Sequence, residues 1–178
     1  MSEANPPITV SESTNQHRRE SPHSVACGVI TVSDTRTMET DTGGKLLAEL
    51  LEQFGHRVLV RDLIPDEPKQ MRSLIASWLA RGDLQAILMT GGTGIGRRDQ
   101  TFETISALLT KPLPGYGEIF RMLSYHDIGP AAMLSRAIGG TIGQTILLTM
   151  PGSRAAVQLA VEKLIGPELG HLVREATR

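Results

Sequence analysis

Two kinds of residue in this chain suit phosphate chemistry: closely spaced glycines and a set of acids that recurs at strand ends. The stretch from Gln85 to Thr101 carries the first. An apolar run, Ala86 to Met89, reads as a buried strand, and it ends in Thr90 followed by Gly91, Gly92, Gly94 and Gly96. Arg97, Arg98 and Asp99 come next, and Thr101 precedes a helical pattern of Phe102, Ile105, Leu108 and Leu109. A strand, a glycine loop and a helix start let backbone N–H groups approach an anion closely, and the helix dipole favours that anion. The loop is neither a P-loop, which needs Lys and Ser/Thr after its last glycine, nor a dinucleotide fingerprint, because residue 97 is Arg.

The acids supply the second kind. Ser33-Asp34-Thr35-Arg36 follows the first apolar run, Ile64-Pro65-Asp66-Glu67 the second, and Asp99 the glycine loop. In open α/β sheets ligands bind beyond the carboxyl ends of strands, so these acids gather on the edge that carries the loop. Glycine amides and Arg97 or Arg98 would hold phosphates, and carboxylates would hold Mg²⁺, which binds through one or two acids plus substrate oxygens. That set suits phosphoryl or nucleotidyl transfer. Asp34 and Asp41 serve equally well as turn or cap residues.

The elements that must position these residues follow from periodicity. Strands are expected at 25–32, 57–64, 86–89 and 146–150. Helices are expected at 43–55, 71–80, from 101, at 116–125, around Val157 to Leu164, and from Pro167 to about Ala176. Alternating strands and helices imply an α/β fold, a three-layer sandwich whose mostly parallel β-sheet has helices on both faces. Residues 1–23 are polar and proline-punctuated and read as a disordered tail, leaving one domain over 24–178.

Composition narrows the function. The chain has 178 residues, a net charge of -1 and 3% aromatics, which speaks against a nucleic-acid partner. Cys27 stands alone, so an internal disulfide or a multi-cysteine metal site is excluded. The five histidines lack metal-ligand spacing. No apolar run approaches a membrane span and no secretory signal is visible, so a cytoplasmic location is the default expectation.

Seven segments, in order, carry a further resemblance. They are Val32-Ser33-Asp34-Thr35-Arg36-Thr37, Asp41-Thr42-Gly43, Thr90-Gly91-Gly92-Thr93-Gly94, Arg98-Asp99, Pro114-Gly115-Tyr116-Gly117-Glu118, Leu134-Ser135-Arg136 and Leu148-Thr149-Met150-Pro151-Gly152-Ser153. Together they resemble the molybdenum cofactor biosynthesis protein B family (MoaB/MogA), over about residues 25–173. The resemblance implies an oligomer, a trimer or a hexamer, alongside other proteins of the cofactor pathway. For catalytic members it implies that ATP, with Mg²⁺, donates its AMP moiety to molybdopterin and that pyrophosphate leaves. It marks Asp66 and Asp99 as the catalytic, metal-holding acids. It places Gly91, Gly92, Thr93, Gly94, Ser124 and Ser135 at the substrate, together with Ser33, Asp34, Gly115, Gly117, Glu118 and Ser153. Ile64-Pro65-Asp66-Glu67 is similar to the adenylyltransferase branch, whereas Val32 to Thr37 is similar to the B branch. Two functions follow: an adenylyltransferase, or a pterin-binding protein of the same pathway without catalysis.

Overall fold

The structure, a computed structural model, describes residues 20–178. The expectation of a disordered tail lies outside the described residues for 1–19. Residues 20–23 are seated on the domain. Ser21 is buried, and Glu20 pairs with Arg174.

The chain runs β1 (Ala26–Val32), α1 (Thr42–Gln53), β2 (Arg57–Ile64), α2 (Pro68–Arg81), β3 (Ala86–Thr90), α3 (Thr101–Ser106), β4 (Lys111–Pro112), α4 (Pro114–Ile128), a 3₁₀ segment (Gly129–Leu134), β5 (Gly139–Ile142), β6 (Thr145–Met150), α5 (Arg154–Ala160) and α6 (Gly166–Thr177). A π turn, Val161–Ile165, joins α5 to α6. The sheet order is β2-β1-β3-β6-β5-β4. Strands β2, β1, β3 and β6 pair in parallel, and β5 and β4 extend the sheet antiparallel.

Helices cover both faces, as the alternation predicts. In β1, β3 and β6 every residue but Thr145 is buried, because a parallel sheet is covered twice. Cys27, Val29, Leu88 and Leu148 face α1, α5 and α6, together with Leu47, Leu51, Val157 and Leu169. Ile30, Ile87, Met89 and Leu147 face Met71, Ile75 and Trp78 of α2 and Ile105 of α3. Gly28 is small because the Trp78 ring lies over it. A Cβ there would come within 2.5 Å of that ring.

Two elements escaped the periodicity argument. Strand β4 has two residues, and β5 begins Gly139-Gly140, so neither carries an apolar alternation. The signal that does exist is the turn after β5. Ile142 pairs with Thr145, and Gly143 takes φ 59 in the two-residue loop between them. The π turn also went unread. Val157, Val161, Ile165, Leu169 and Val173 are all buried and recur every four residues. In an α-helix that spacing drifts by about 40° per step. The wider turn takes back that drift and keeps the stripe on the sheet.

Strand order reverses at β1: the chain goes to β2 on one side and to β3 on the other. The carboxyl ends of β1 and β3 therefore open on a switch point, where α/β sheets leave a crevice.

Candidate functional site: a cavity at the switch point

A cavity of about 600 Å³ occupies that crevice. Thr31 to Ser33 from β1, Thr90 to Gly94 from β3 and Pro151 to Ser153 from β6 form one side. Phe120, Ser124 and Ile128 of α4, with Leu134 and Ser135, form the other.

The glycine loop forms its floor. Gly91 sits at φ 100 and Gly92 at φ 64, backbone conformations that L side chains rarely adopt. Space is as strict as torsion here. A Cβ on Gly91 would lie 2.2 Å from the Val32 carbonyl, and one on Gly92 would lie 2.3 Å from Asp66 Oδ2. Gly94 and Gly96 have ordinary torsions and are small for Asp99. A Cβ at either would stand 2.7 Å from Asp99 Oδ2, which accepts the Gly96 N–H at 2.7 Å.

The sequence-derived residues divide. Gly91, Gly92, Thr93, Gly94, Asp99, Ser33, Ser124, Ser135 and Ser153 all line the cavity. The Ser33 hydroxyl accepts the N–H groups of Thr35 and Arg36 and closes the turn after β1. Ser153 caps α5 by accepting the Ala156 N–H at 3.2 Å. The Ser135 Oγ is buried with no hydrogen-bond partner, so a ligand is the natural acceptor or donor for it.

Asp66 and Asp34 stand behind the loop. Asp66 is 5% exposed, and its Oδ1 accepts the Gln100 N–H at 3.0 Å. Burial pushes its carboxyl up to about 6, with Asp99 and Asp34 adding to the rise and the Gln100 N–H and Arg98 opposing it. Asp34 Oδ1 accepts the Asp66 N–H at 2.9 Å and, with Oδ2, a bidentate fork from Arg98. That fork holds the Asp34 carboxyl below the usual carboxylate range. Arg98 also donates to Glu67 at 2.7 Å, so its charge is spent on two acids behind the loop. Asp41 is a cap: it accepts the Gly44 N–H at 2.9 Å and the Thr31 hydroxyl at 2.7 Å.

Gly115, Gly117 and Glu118 lie on the first turn of α4 and do not line the cavity. Gly117 is small because a Cβ would lie 2.4 Å from the Ala137 carbonyl, and Glu118 is exposed. Sequence reasoning passed over Arg36, the cation that does line the cavity, 3.8 Å from Asp41. Its signal was its place in the strand-end motif.

Among the described residues no three His, Cys, Asp or Glu side chains gather as a metal cage. That set still fits Mg²⁺, which takes one or two carboxylates and completes its shell from phosphates and water. Asp99 on the floor and Asp66 beneath it are the acids in reach of the loop. No helix of the described residues is long and apolar enough to cross a membrane.

Fold and cavity define an α/β protein with a glycine-floored cavity, apolar along its second wall, at the switch point of its sheet. The chain belongs to the molybdenum cofactor biosynthesis protein family, since a family model described as "Probable molybdopterin binding domain" matches residues 28–171. It is 48% identical over 167 residues to a protein of Bacillus cereus named molybdenum cofactor biosynthesis protein B, covering 93% of this chain and 99% of that one. A crystal structure of a molybdenum cofactor biosynthesis protein B superposes with a TM-score of 0.85 at 49% identity, covering 89% of this chain and 99% of the other. A MogA structure superposes with a TM-score of 0.76 at 25% identity, covering 85% and 99%.

Proposed function

We propose that this protein works in molybdenum cofactor biosynthesis, binding molybdopterin in the switch-point cavity and joining it to the AMP moiety of ATP. A phosphate oxygen of molybdopterin attacks the α-phosphorus of ATP, the bond to the β-phosphate oxygen breaks, and pyrophosphate leaves. The nucleophile is already an anion, so the site needs no general base. Its work is positioning and neutralisation.

The observation that carries this reading is one cavity floored by two left-handed glycines, edged by Asp99 and Arg36, and walled by the unpartnered Ser135 hydroxyl. Loop amides and Arg36 bind phosphate oxygens. Arg98, which the sequence offered for that task, instead anchors the loop to Asp34 and Glu67. Asp99, with Asp66 beneath it, would hold Mg²⁺, which when bound draws charge from the phosphate oxygens. The apolar wall of Phe120, Ile128 and Leu134 excludes water beside the pterin.

Self-association, as a trimer or hexamer, belongs to the same reading. Its support is the exposed apolar side chains Ile119, Met122 and Tyr125 on α4 and Met133 after it. A cytoplasmic location and other pathway proteins as partners go with it.

The test is to incubate the protein with molybdopterin, ATP and MgCl₂ and follow adenylylated molybdopterin and pyrophosphate. Asp99→Ala should lower turnover on the order of a hundredfold, with pterin affinity and melting temperature close to wild type. A second reading, a pterin-binding protein without catalysis, draws on the recessed position of Asp66 and the higher identity to B proteins than to MogA. Tight pterin binding with no adenylylated product would select it.

A further inference from the structure

Arg136 lies outside the cavity lining, yet its guanidinium meets the glycine loop at three carbonyls. Nε donates to the Thr93 carbonyl at 3.1 Å. One terminal nitrogen donates to the Gly94 carbonyl and, at 3.4 Å, to that of Asp99. Both terminal nitrogens pair with Glu103, and the guanidinium carbon lies 5.0 Å from the centre of the Phe102 ring. The segment that carries Arg136 is fixed to the sheet: the Ile138 N–H donates to Thr149 Oγ1 at 3.1 Å, and the Thr149 N–H donates back to the Ile138 carbonyl at 2.8 Å.

Peptide geometry gives these contacts a consequence. All peptide bonds of the described residues are trans, and in a trans peptide the C=O and the following N–H point in opposite directions. Carbonyls of Thr93, Gly94 and Asp99 held toward Arg136 turn the N–H groups of Gly94, Ile95 and Gln100 away from it. The Gln100 N–H shows the result, since it donates to Asp66 Oδ1 at 3.0 Å. Gly94 lies on the cavity wall.

We propose that Arg136 is a positioning residue: by gathering three loop carbonyls on one side it directs the loop amides at the anion and sets Asp99 relative to Asp66. This rests on the reading of the cavity as a phosphate site. Arginine suits the task because its planar fork carries five donors in fixed directions, whereas a lysine ammonium is a single flexible point. Those donors are committed to the loop and to Glu103, so Arg136 acts through the loop and not on the ligand.

Arg136→Lys separates this from a purely structural role, because it keeps the charge and a pair with Glu103 while losing the fork. Two readouts apply. In ligand-free protein, amide hydrogen exchange at Gln100 should rise in Arg136→Lys while the global melt is retained. Unchanged exchange overturns the proposal whatever the ligand does. With Mg-ATP and with molybdopterin as probes, affinity should fall about tenfold or more, and wild-type affinity in the variant likewise overturns it. Should Arg136→Lys fail to fold, the wild type decides: bound probe must protect the Gly94 and Ile95 amides, and absence of protection overturns the idea. Failure of the wild type to bind either probe counts against the cavity reading, while Gln100 exchange still judges Arg136.

Discussion

Two glycine-rich segments, 91–96 and 114–118, both resemble family motifs, and the fold uses their glycines for different ends. In the first, Gly91 and Gly92 take left-handed torsions and bring bare backbone to a cavity. In the second, Pro114 starts α4, Gly115 faces open space, and Gly117 lets the helix approach the Ala137 carbonyl. The first therefore trades side chains for an open cavity, the second for helix packing. What distinguishes them is context. One follows a buried strand and precedes a helix, and the other follows a two-residue edge strand and lies inside a helix.

The sharpest way to break this contrast is Gly92→Val. Its left-handed torsion and the contact with Asp66 Oδ2 should cost about 3 kcal/mol in stability, and molybdopterin binding should be lost in the fraction that folds. Titration calorimetry alongside thermal melts checks both. Normal affinity would remove the distinction between the two segments.

The acid beneath the loop allows a pH test. The folded value of Asp66, raised to about 6, lies above its unfolded value, so folding favours the protonated form. Its contribution is fully present below the ordinary carboxyl value and is lost as pH rises through about 6. Asp66→Asn should then be more stable than wild type at pH 8, by about 1–3 kcal/mol, and the gap should close by pH 4. A gap that stays constant with pH would show that the carboxyl is not held against its charge. No such dependence is expected from Gly115→Ala or Gly117→Ala, where the added Cβ meets no acid.

The smallest effects on ligand binding belong to α4. Gly117→Ala should cost about 1–3 kcal/mol through the Ala137 carbonyl, whereas Gly115→Ala, with open space around it, should gain about 0.5–1 kcal/mol of helix propensity. Neither should alter ligand affinity of the folded protein. A loss of binding in Gly115→Ala would return this segment to the site.

How much of this was legible depended on sequence distance. The loop could be read because its strand, glycines and helix start are contiguous, and Asp41 as a cap because its partner Gly44 is three residues away. Arg98 was assigned to phosphate because its partners Asp34 and Glu67 lie 64 and 31 residues off, beyond any local pattern. Arg136 stands within a motif, but its grip on Thr93 spans 43 residues. Gly94 takes an ordinary torsion. Its constraint is the Asp99 carboxylate, a side-chain contact that composition cannot reveal. Strand β5 was missed because Gly139 and Gly140 carry no hydrophobic signal. They are glycines for contact with Leu148 and with the Lys111 carbonyl.

The π turn at Val161–Ile165 makes the end of the chain sensitive to the number of residues before it. Restoring α geometry there with the number of residues unchanged would rotate all of α6 by roughly 100°. Leu169 and Val173 would swing out of the sheet interface, and the seat of Ser21 and Pro22 against Gly170 would go with them. A residue lost from this stretch must therefore come with a return to α geometry, whereas length changes in the exposed Gly82–Asp83 turn or around Gly143, where the glycine positions leave open space, need no such compensation.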